Sequence, residues 1–436
     1  MTSALLQTLW KRCRSPEFLL LAANLLARLL GFWVSMLVSR VAGVQALGAY
    51  SGLLITTASP TTPVAAVLGN NATLMASRHQ GRVSMGELVL AHAPVLLVSG
   101  VVAWSGCVGL MALSGLHTVG NWPVLGLAVV LTGLVLGQLV TPFVMGLAHG
   151  VNRSGLVAVV TMAVSALALL TSFAVVQWFG LAGALTQATL VGVLPALIVV
   201  AWLWRHRGVI AVADQSGDAL GLRQEAWAQF RQALPNVGAT VLNNATNWLS
   251  CIYLAERSHG AAGLGLVAIG LQFSALMLLP LTSWGGRVMR SLSLAHASGL
   301  AALRREVSAQ VRRCVAVSAG VSLLVALASP WIAQLYKVDE RALGSLMAIN
   351  AVGATVFAVT FVYERASFCL GAQRPWLMAS VLAYACQLLV TAMFIEQGVW
   401  VVALGNVSAI VVLMGVFRGY LGRVWGRSLP LDERQT

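Results

Sequence analysis

The sequence predicts an all-α polytopic membrane protein of about twelve transmembrane helices in two six-helix lobes, and three observations support this. The 436 residues are 58% hydrophobic and 9% charged, whereas a soluble domain carries about 25% charged residues. Apolar runs long enough to cross a bilayer as helices recur along the chain, and no alternation of period two indicates a barrel. Finally, elements of the first half of the chain recur in the second half.

The spans follow one another closely from near the N-terminus. We place them at 17–40, 45–69, 87–113, 122–147, 154–178, 181–204, 232–255, 262–288, 314–336, 342–368, 376–396 and 398–420. With the N-terminus in the cytoplasm, 22 of the 27 Lys and Arg residues fall on the cytoplasmic side, four fall outside and Arg28 lies within a span. Because cytoplasmic loops are enriched in Lys and Arg, we expect both termini to be cytoplasmic.

The two halves of the chain repeat in the same order and orientation. One constant shift superposes Gly43 on Gly260, and a slightly longer shift later in the chain superposes Gly150 on Gly371 and Arg153 on Arg374. Since each repeat has an even number of spans, the two lobes are expected to be related by a pseudo-twofold axis along the membrane normal, as in many transporters. We expect an N-terminal lobe at 1–208, a cytoplasmic linker with a short interfacial helix at 209–231, and a C-terminal lobe with a tail at 232–436.

The first span carries a polar face. Asn24, Arg28, Ser35 and Ser39 fall within about a 60° arc of one helix. An ionisable side chain within a membrane costs at least about 2.5 kcal/mol and by default faces a bundle interior or a wet cavity. We therefore expect Asn24, Arg28 and Ser35 to line a substrate cavity. The alternative is that Arg28 extends its side chain to the cytoplasmic headgroups.

The seventh span carries a second polar face, made of Asn236, Thr240, Asn243 and Asn247. Amides and hydroxyls of this kind bind sugar hydroxyls or hold water in a cavity, so we expect all four to line the cavity. Hydrogen bonds between neighbouring helices are the alternative, because they are common in membrane bundles.

Charged and polar residues near two further span ends are also candidates for the cavity. Arg287 and Arg290 share a face at the cytoplasmic end of span eight, where they either guide an anionic headgroup inward or anchor the helix. Asn71 occupies the part of span two that corresponds, in the repeat, to this end of span eight. Glu364 and Arg365 lie inside the cytoplasmic half of span ten, where Glu364 is the acidic residue best placed for ion coupling. A plain ion pair is the alternative.

No pattern indicates catalysis, a metal site or a cofactor. The chain contains no HExxH, paired aspartate cluster, GxSxG or P-loop motif, so we expect a protein that is not an enzyme and has no cofactor. The net charge of +14 does not indicate a nucleic-acid partner, because the basic residues lie in short segments between apolar runs. We expect the lipid bilayer to surround the protein.

Three stretches resemble a known family. The segment ARLLGFWVSMLVSRVAGVQALGAYSGLL is similar to the first helix pair of the polysaccharide flippases of the multidrug/oligosaccharidyl-lipid/polysaccharide superfamily. LAHGVNRSGL and FCLGAQRPWL resemble the G-x-x-R ends of spans four and ten in that family. One departure is that span seven is rich in amides and lacks the acidic residue often found there, which leaves the mechanism of ion coupling open.

The resemblance implies a function and partners. It implies translocation of an undecaprenyl-diphosphate-linked oligosaccharide, such as an O-antigen or exopolysaccharide unit, across a bacterial inner membrane. It further implies a cationic cavity formed by Arg28 and Arg287, and a polymerase and other polysaccharide-assembly proteins as partners. A drug or metabolite exporter of the same fold is one alternative. A membrane glycosyltransferase or polymerase that acts on lipid-linked sugars is another.

Overall fold

The computed structural model describes residues 16–79, 83–114, 124–206 and 219–427, and within these ranges nearly every residue is helical. The α-helices in chain order are α1 Pro16–Arg78, α2 Met85–Ser114, α3 Val124–Gly150, α4 Ser154–Arg205, α5 Ala219–Leu254, α6 Gly260–Met277, α7 Leu279–Ala297, α8 Leu300–Leu327, α9 Ser329–Tyr336, α10 Glu340–Cys369, α11 Gln373–Phe394 and α12 Trp400–Arg427. A turn of π-helix, Ala255–His259, joins α5 to α6, and a 3₁₀ turn, Ile395–Gln397, follows α11.

Nine helices in the described residues are long and apolar enough to cross a membrane. Two of them, α1 and α4, contain two predicted spans each, because the chain leaves helical geometry at Gly43 and at Gly180 and then resumes it. The more polar helix α5 contains the predicted span seven. The predicted order of twelve spans therefore maps onto the described helices, and the chain is a multi-pass membrane protein.

The chain separates into two compact units. The first comprises Met1–Gly43 and Gly52–Val237, and the second comprises Val44–Ser51 and Gly238–Thr436. In the first unit, buried residues of α1 to α4 form one continuous apolar core. Leu222 and Ala226, at the start of α5, are part of this core. The linker helix that we predicted before span seven is thus continuous with that span, and Pro235 lies inside the single helix α5.

The core of the second unit is built from α5 to α12. One apolar cluster joins α7, α8 and α10, and it includes the buried side chains of Leu281, Val307 and Phe361. Another joins α5, α11 and α12 around Trp376 and Phe417, whose rings meet edge to face with centroids 5.0 Å apart. The second cluster packs along the cytoplasmic halves predicted for the last two spans.

Three turns have positive φ at equivalent places in the two halves of the chain. At the first turn, Gly43 and Gly260 have φ of 87° and 55°, and at the second, Gly180 and Gly398 have φ of 55° and 143°. The superposition of Gly43 on Gly260 is therefore matched by the backbone, which adopts a conformation that glycine tolerates.

The third turn corrects the register that the sequence predicted there. After α3, the N–H groups of Asn152 and Arg153 donate to the carbonyls of His149 and Ala148. After α10, the N–H groups of Gly371 and Ala372 donate to Phe368 and Ser367. The equivalent residues are thus Asn152 and Gly371, both with positive φ. The superposition of Gly150 on Gly371 was wrong by two positions, because the repeat conserves the left-handed conformation while Asn and Gly both satisfy it.

Candidate functional site

A polar cavity of about 240 Å³ lies within the second unit, between helices α5, α6, α10, α11 and α12. Four asparagines contribute to its lining, namely Asn243, Asn247, Asn350 and Asn406. A smaller space lined by three of the same asparagines adjoins it. A volume of this size has room for several water molecules. It is therefore large enough to hold a small polar ligand or part of a larger one.

Two of the asparagines are positioned by a short chain of hydrogen bonds. Asn243 and Asn247 lie one turn apart on α5, and the Asn247 Nδ2 donates to the Asn243 Oδ1 at 3.1 Å. The Gln387 Nε2 on α11 donates to the Asn247 Oδ1 at 2.8 Å. Gln387 is fully buried. These two hydrogen bonds fix the orientation of the Asn247 amide, while Asn243 also lines the cavity.

Helix α10 presents a continuous stripe to the cavity. Asn350, Gly353, Phe357 and Thr360 all line it and recur at helical spacing on one face. Helix α6 approaches the first of these closely, because a Cβ at Gly270 would lie 3.0 Å from the Asn350 Nδ2. The absence of a side chain at residue 270 thus makes room for an amide in an otherwise apolar contact.

Asn350 and Asn406 lack protein partners in the residues that the structure describes. Asn350 is 6% exposed, yet neither amide makes a hydrogen bond with any described residue. Buried polar groups in native proteins nearly always have a partner, which is either protein, ordered water or a ligand. Each amide offers two donor hydrogens and an acceptor oxygen, so this pair is available to a ligand that both donates and accepts.

The residues that line the cavity carry no formal charge. The nearest acidic group on the α10 stripe is Glu364, which lies one helical turn beyond Thr360. Its Oε2 accepts from the Arg365 Nη1 at 3.0 Å. An acidic side chain therefore stands beside the cavity and is partly neutralised by its neighbour.

Arg365 is held away from the cavity. Its guanidinium lies over the Phe361 ring, 3.4 Å from the centroid, and the Nη1 also donates to the Phe361 carbonyl at 3.0 Å. A Cβ at Gly285 on α7 would lie 3.3 Å from the Arg365 Nη2. Arg365 thus points toward α7, while Glu364 continues the cavity stripe.

The structure brings together only part of the predicted site. Of the four polar residues predicted on span seven, Asn243 and Asn247 line this cavity, whereas Asn236 and Thr240 are not among its lining residues. Asn350, Asn406 and Ser274 were missed. The signal that could have found Asn350 and Asn406 is the one used for Arg28, because each is a lone polar residue inside an apolar run. Arg287 and Arg290 belong to α7, and their side chains lie outside what the structure describes.

The first unit contains the other predicted residues. On α1, Asn24 is exposed, Arg28 is half-buried, and Ser35 is buried with its Oγ donating to the Gly31 carbonyl at 2.8 Å. Asn71 is buried in the same unit. The Arg28 guanidinium makes no ion pair or hydrogen bond within the described ranges. The polar face of α1 therefore runs from the helix exterior into the unit and carries a cation without a counter-ion among the described residues.

Comparison with known proteins identifies the fold. No protein-family model and no curated protein matches the chain. Solved structures do match over nearly their whole length. A multidrug-resistance MATE family transporter of the MOP superfamily in an inward-facing conformation has a TM-score of 0.71 and 16% identity, over 92% of this chain and 96% of that one.

Two further structures agree with this result. A MATE transporter from Vibrio cholerae has a TM-score of 0.63 and 15% identity over 97% of this chain and 98% of that one. A MOP superfamily transporter from Pyrococcus furiosus, described as having a binding pocket of reversed polarity, has a TM-score of 0.60 and 15% identity over 93% and 94%. The predicted fold class is confirmed, and the chain has the all-α, twelve-span, two-lobe fold of the MOP superfamily transporters.

Proposed function

We propose that the protein translocates a lipid-linked oligosaccharide, carried on a polyprenyl diphosphate such as undecaprenyl diphosphate, from the cytoplasmic to the outer leaflet of a bacterial inner membrane. The observation that carries this proposal is the uncharged, amide-lined cavity of the second unit. Sugar hydroxyls donate and accept hydrogen bonds, and asparagine side chains do the same. Asn350 and Asn406 supply such groups without competing partners among the described residues.

The diphosphate requires positive charge, and Arg28 is the residue of the first unit that we propose for it. Guanidinium groups bind phosphate oxygens through paired hydrogen bonds. Arg28 lacks an acidic partner in the described part of the chain, so its charge is available to an anion. In this proposal Arg287 and Arg290 belong to the entrance, with the lipid chain remaining in the bilayer.

The same proposal accounts for the driving force. Moving one elementary charge across 100 mV corresponds to about 2.3 kcal/mol, so two negative charges that move outward gain about 4–5 kcal/mol. Glu364 then serves as the partner of Arg365, and coupling to an ion gradient is not required. Both termini are cytoplasmic in this proposal, and a polymerase that receives the translocated unit is the expected partner.

The test is translocation of a labelled polyprenyl-diphosphate oligosaccharide in proteoliposomes. Wild type is expected to expose the label in the opposite leaflet, and Asn350→Ala is expected to reduce the rate at least tenfold. Gln334→Ala is the matched control, since Gln334 is an exposed amide of the second unit away from the cavity. No translocation of any lipid-linked sugar by wild type would refute the proposal.

One observation favours a second function, the export of small organic cations. Glu364 lies one helical turn beyond Thr360 on the α10 stripe, so a carboxylate stands near the cavity where it could attract a cation. Similar structures include multidrug-resistance transporters. Efflux of a fluorescent organic cation that depends on Glu364, together with inactivity toward lipid-linked sugars, would establish this alternative. Glycosyl transfer has no comparable support, because the structural matches reported above are transporters.

A further inference from the structure

We propose that α8 carries a binding strip for the headgroups of anionic phospholipids, formed by Arg305, Arg312 and Arg313. All three are exposed on the N-terminal half of Leu300–Leu327. This arginine strip is separate from the cavity and from Arg28, and the inference is independent of the transported substrate.

The strip continues a face of α8 that is apolar farther along the helix. Leu323, Leu324 and Leu327 are each at least 60% exposed, as expected for side chains that contact lipid tails. At about 100° per residue, these leucines and the three arginines fall within about a 120° arc. The same face of one helix therefore changes from leucine to arginine along its length.

The change occurs where the apolar part of the chain begins. Residues 314–336 comprise the end of α8 and all of α9, are largely apolar, and form the ninth span predicted from the sequence. Arg312 and Arg313 immediately precede this segment, so the span predicted from the sequence places them at the depth of the lipid headgroups. Arg305 lies two turns before Arg312, at a distance of about 10 Å along the helix axis. This separation is comparable to the Debye length, which is about 8 Å at physiological salt.

Two of the three arginines of the strip have no acidic partner among the described residues. Glu306, on the same helix, is engaged by hydrogen bonds from Ser291 and from Gln310, the latter at 2.7 Å, and it interacts electrostatically with Arg313. Arg305 and Arg312 form no ion pair with any described residue. Guanidinium groups at the end of a lipid-facing surface are complementary to anionic headgroups, whose phosphates they bind through paired hydrogen bonds.

Arg304 provides a matched control on the same helix. Its guanidinium lies over the Trp425 ring of α12, 5.6 Å from the centroid. It therefore points toward the protein rather than toward lipid, although it is adjacent in sequence to Arg305. Loss of Arg304 removes one positive charge from the same region without removing a member of the strip.

The experiment compares purified full-length protein in vesicles of phosphatidylcholine with and without phosphatidylglycerol, and it measures the midpoint of thermal unfolding. Phosphatidylglycerol is expected to raise the midpoint of wild type and Arg304→Gln by several degrees. The triple variant Arg305→Gln, Arg312→Gln and Arg313→Gln is expected to lose most of this rise. The corresponding triple Lys variant is expected to keep most of it, since it preserves charge and topology.

Two outcomes would overturn the proposal. One is an equal rise in wild type and in the triple Gln variant, and the other is the absence of any rise in wild type. Should the triple Gln variant fail to fold, Arg312→Gln alone is expected to lose part of the rise. Retention of phosphatidylglycerol by the detergent-solubilised protein, measured by intact mass spectrometry, is expected to follow the same order.

Discussion

Gly48 and Gly265 make reciprocal contacts across two helix starts in the second unit. A Cβ at Gly48 would overlap the carbonyl of Ala261, and a Cβ at Gly265 would lie 2.7 Å from the carbonyl oxygen of Val44. The repeat itself relates Val44 to Ala261 and Gly48 to Gly265. The equivalent glycine of each repeat thus lies against the backbone at the helix start of the other repeat.

Replacement of Gly48 by alanine is expected to separate these two helix starts. The added methyl group meets a backbone carbonyl that cannot rotate away, and overpacking of this kind costs about 1–3 kcal/mol. Thermal unfolding in detergent measures the loss. Gly31→Ala is the control, because nothing lies within 4 Å of a Cβ at that position. A Gly48→Ala protein as stable as Gly31→Ala would contradict the close contact.

Removal of the Arg28 charge is expected to affect transport far more than stability. Arg28 has no ion-pair partner in the described chain, so Arg28→Ala breaks no described ion pair and removes a charge that is costly within a membrane. We expect at least a tenfold loss of translocation in proteoliposomes with an unchanged unfolding midpoint. Arg28→Lys should retain part of the activity. Full activity of Arg28→Ala would exclude the proposed role in diphosphate binding.

Alanine variants of two amide residues in the second unit are expected to distinguish a role in substrate binding from a role in stability. Gln387 is fully buried and donates to Asn247, so Gln387→Ala is expected to lower the free energy of unfolding by about 1–3 kcal/mol. Asn350 lacks such a partner among the described residues, and Asn350→Ala should change stability by less than about 1 kcal/mol. Denaturation of both variants, alongside the translocation assay, checks this difference. Similar destabilisation by both would show that Asn350 supports the fold.

Glu364→Gln should distinguish the two candidate functions. The variant removes the carboxylate but keeps the size of the side chain, so translocation of a lipid-linked sugar is expected to stay within twofold of wild type. Export of an organic cation would instead fall by at least tenfold. Arg365→Gln is the complementary variant of the ion pair between Glu364 and Arg365, because it removes the guanidinium and leaves the Glu364 carboxylate.

Collapse of the membrane potential should slow translocation of a diphosphate-linked substrate. Outward movement of two negative charges gains about 4–5 kcal/mol at 100 mV, and this gain disappears when an ionophore clamps the potential at zero. The rate in proteoliposomes with and without a potassium diffusion potential measures the effect. An unchanged rate would remove the energetic part of the proposal and would direct attention to Glu364.

The sequence was most informative about the order of the spans. Hydropathy allows twelve spans to be recognised because burial in lipid requires long apolar runs. It was less informative about register, since Asn152 and Gly371 satisfy the same left-handed turn with different residues. Nor did it indicate that α5 would run unbroken past Pro235, because proline within a helix usually marks a boundary.

The candidate site could be predicted only where several polar residues share one helix. Asn243 and Asn247 are two of four polar residues on a face, and this pattern is visible in the sequence. Asn350 and Asn406 are lone amides on separate helices, and only packing brings them to the same cavity. The Gly270 contact that accommodates Asn350 is likewise a property of two distant segments.

The repeated turns have an evolutionary consequence. The registers seen at the turns align the four asparagines of the cavity with apolar residues of the first half, namely Leu26, Leu30, Leu131 and Ala188. This comparison applies if the two halves descend from one duplicated ancestor. The amides were therefore gained in one copy or lost from the other after the duplication, while the glycine contact stayed common to both. The two halves thus share their backbone turns but differ in the polar residues at the positions of the cavity.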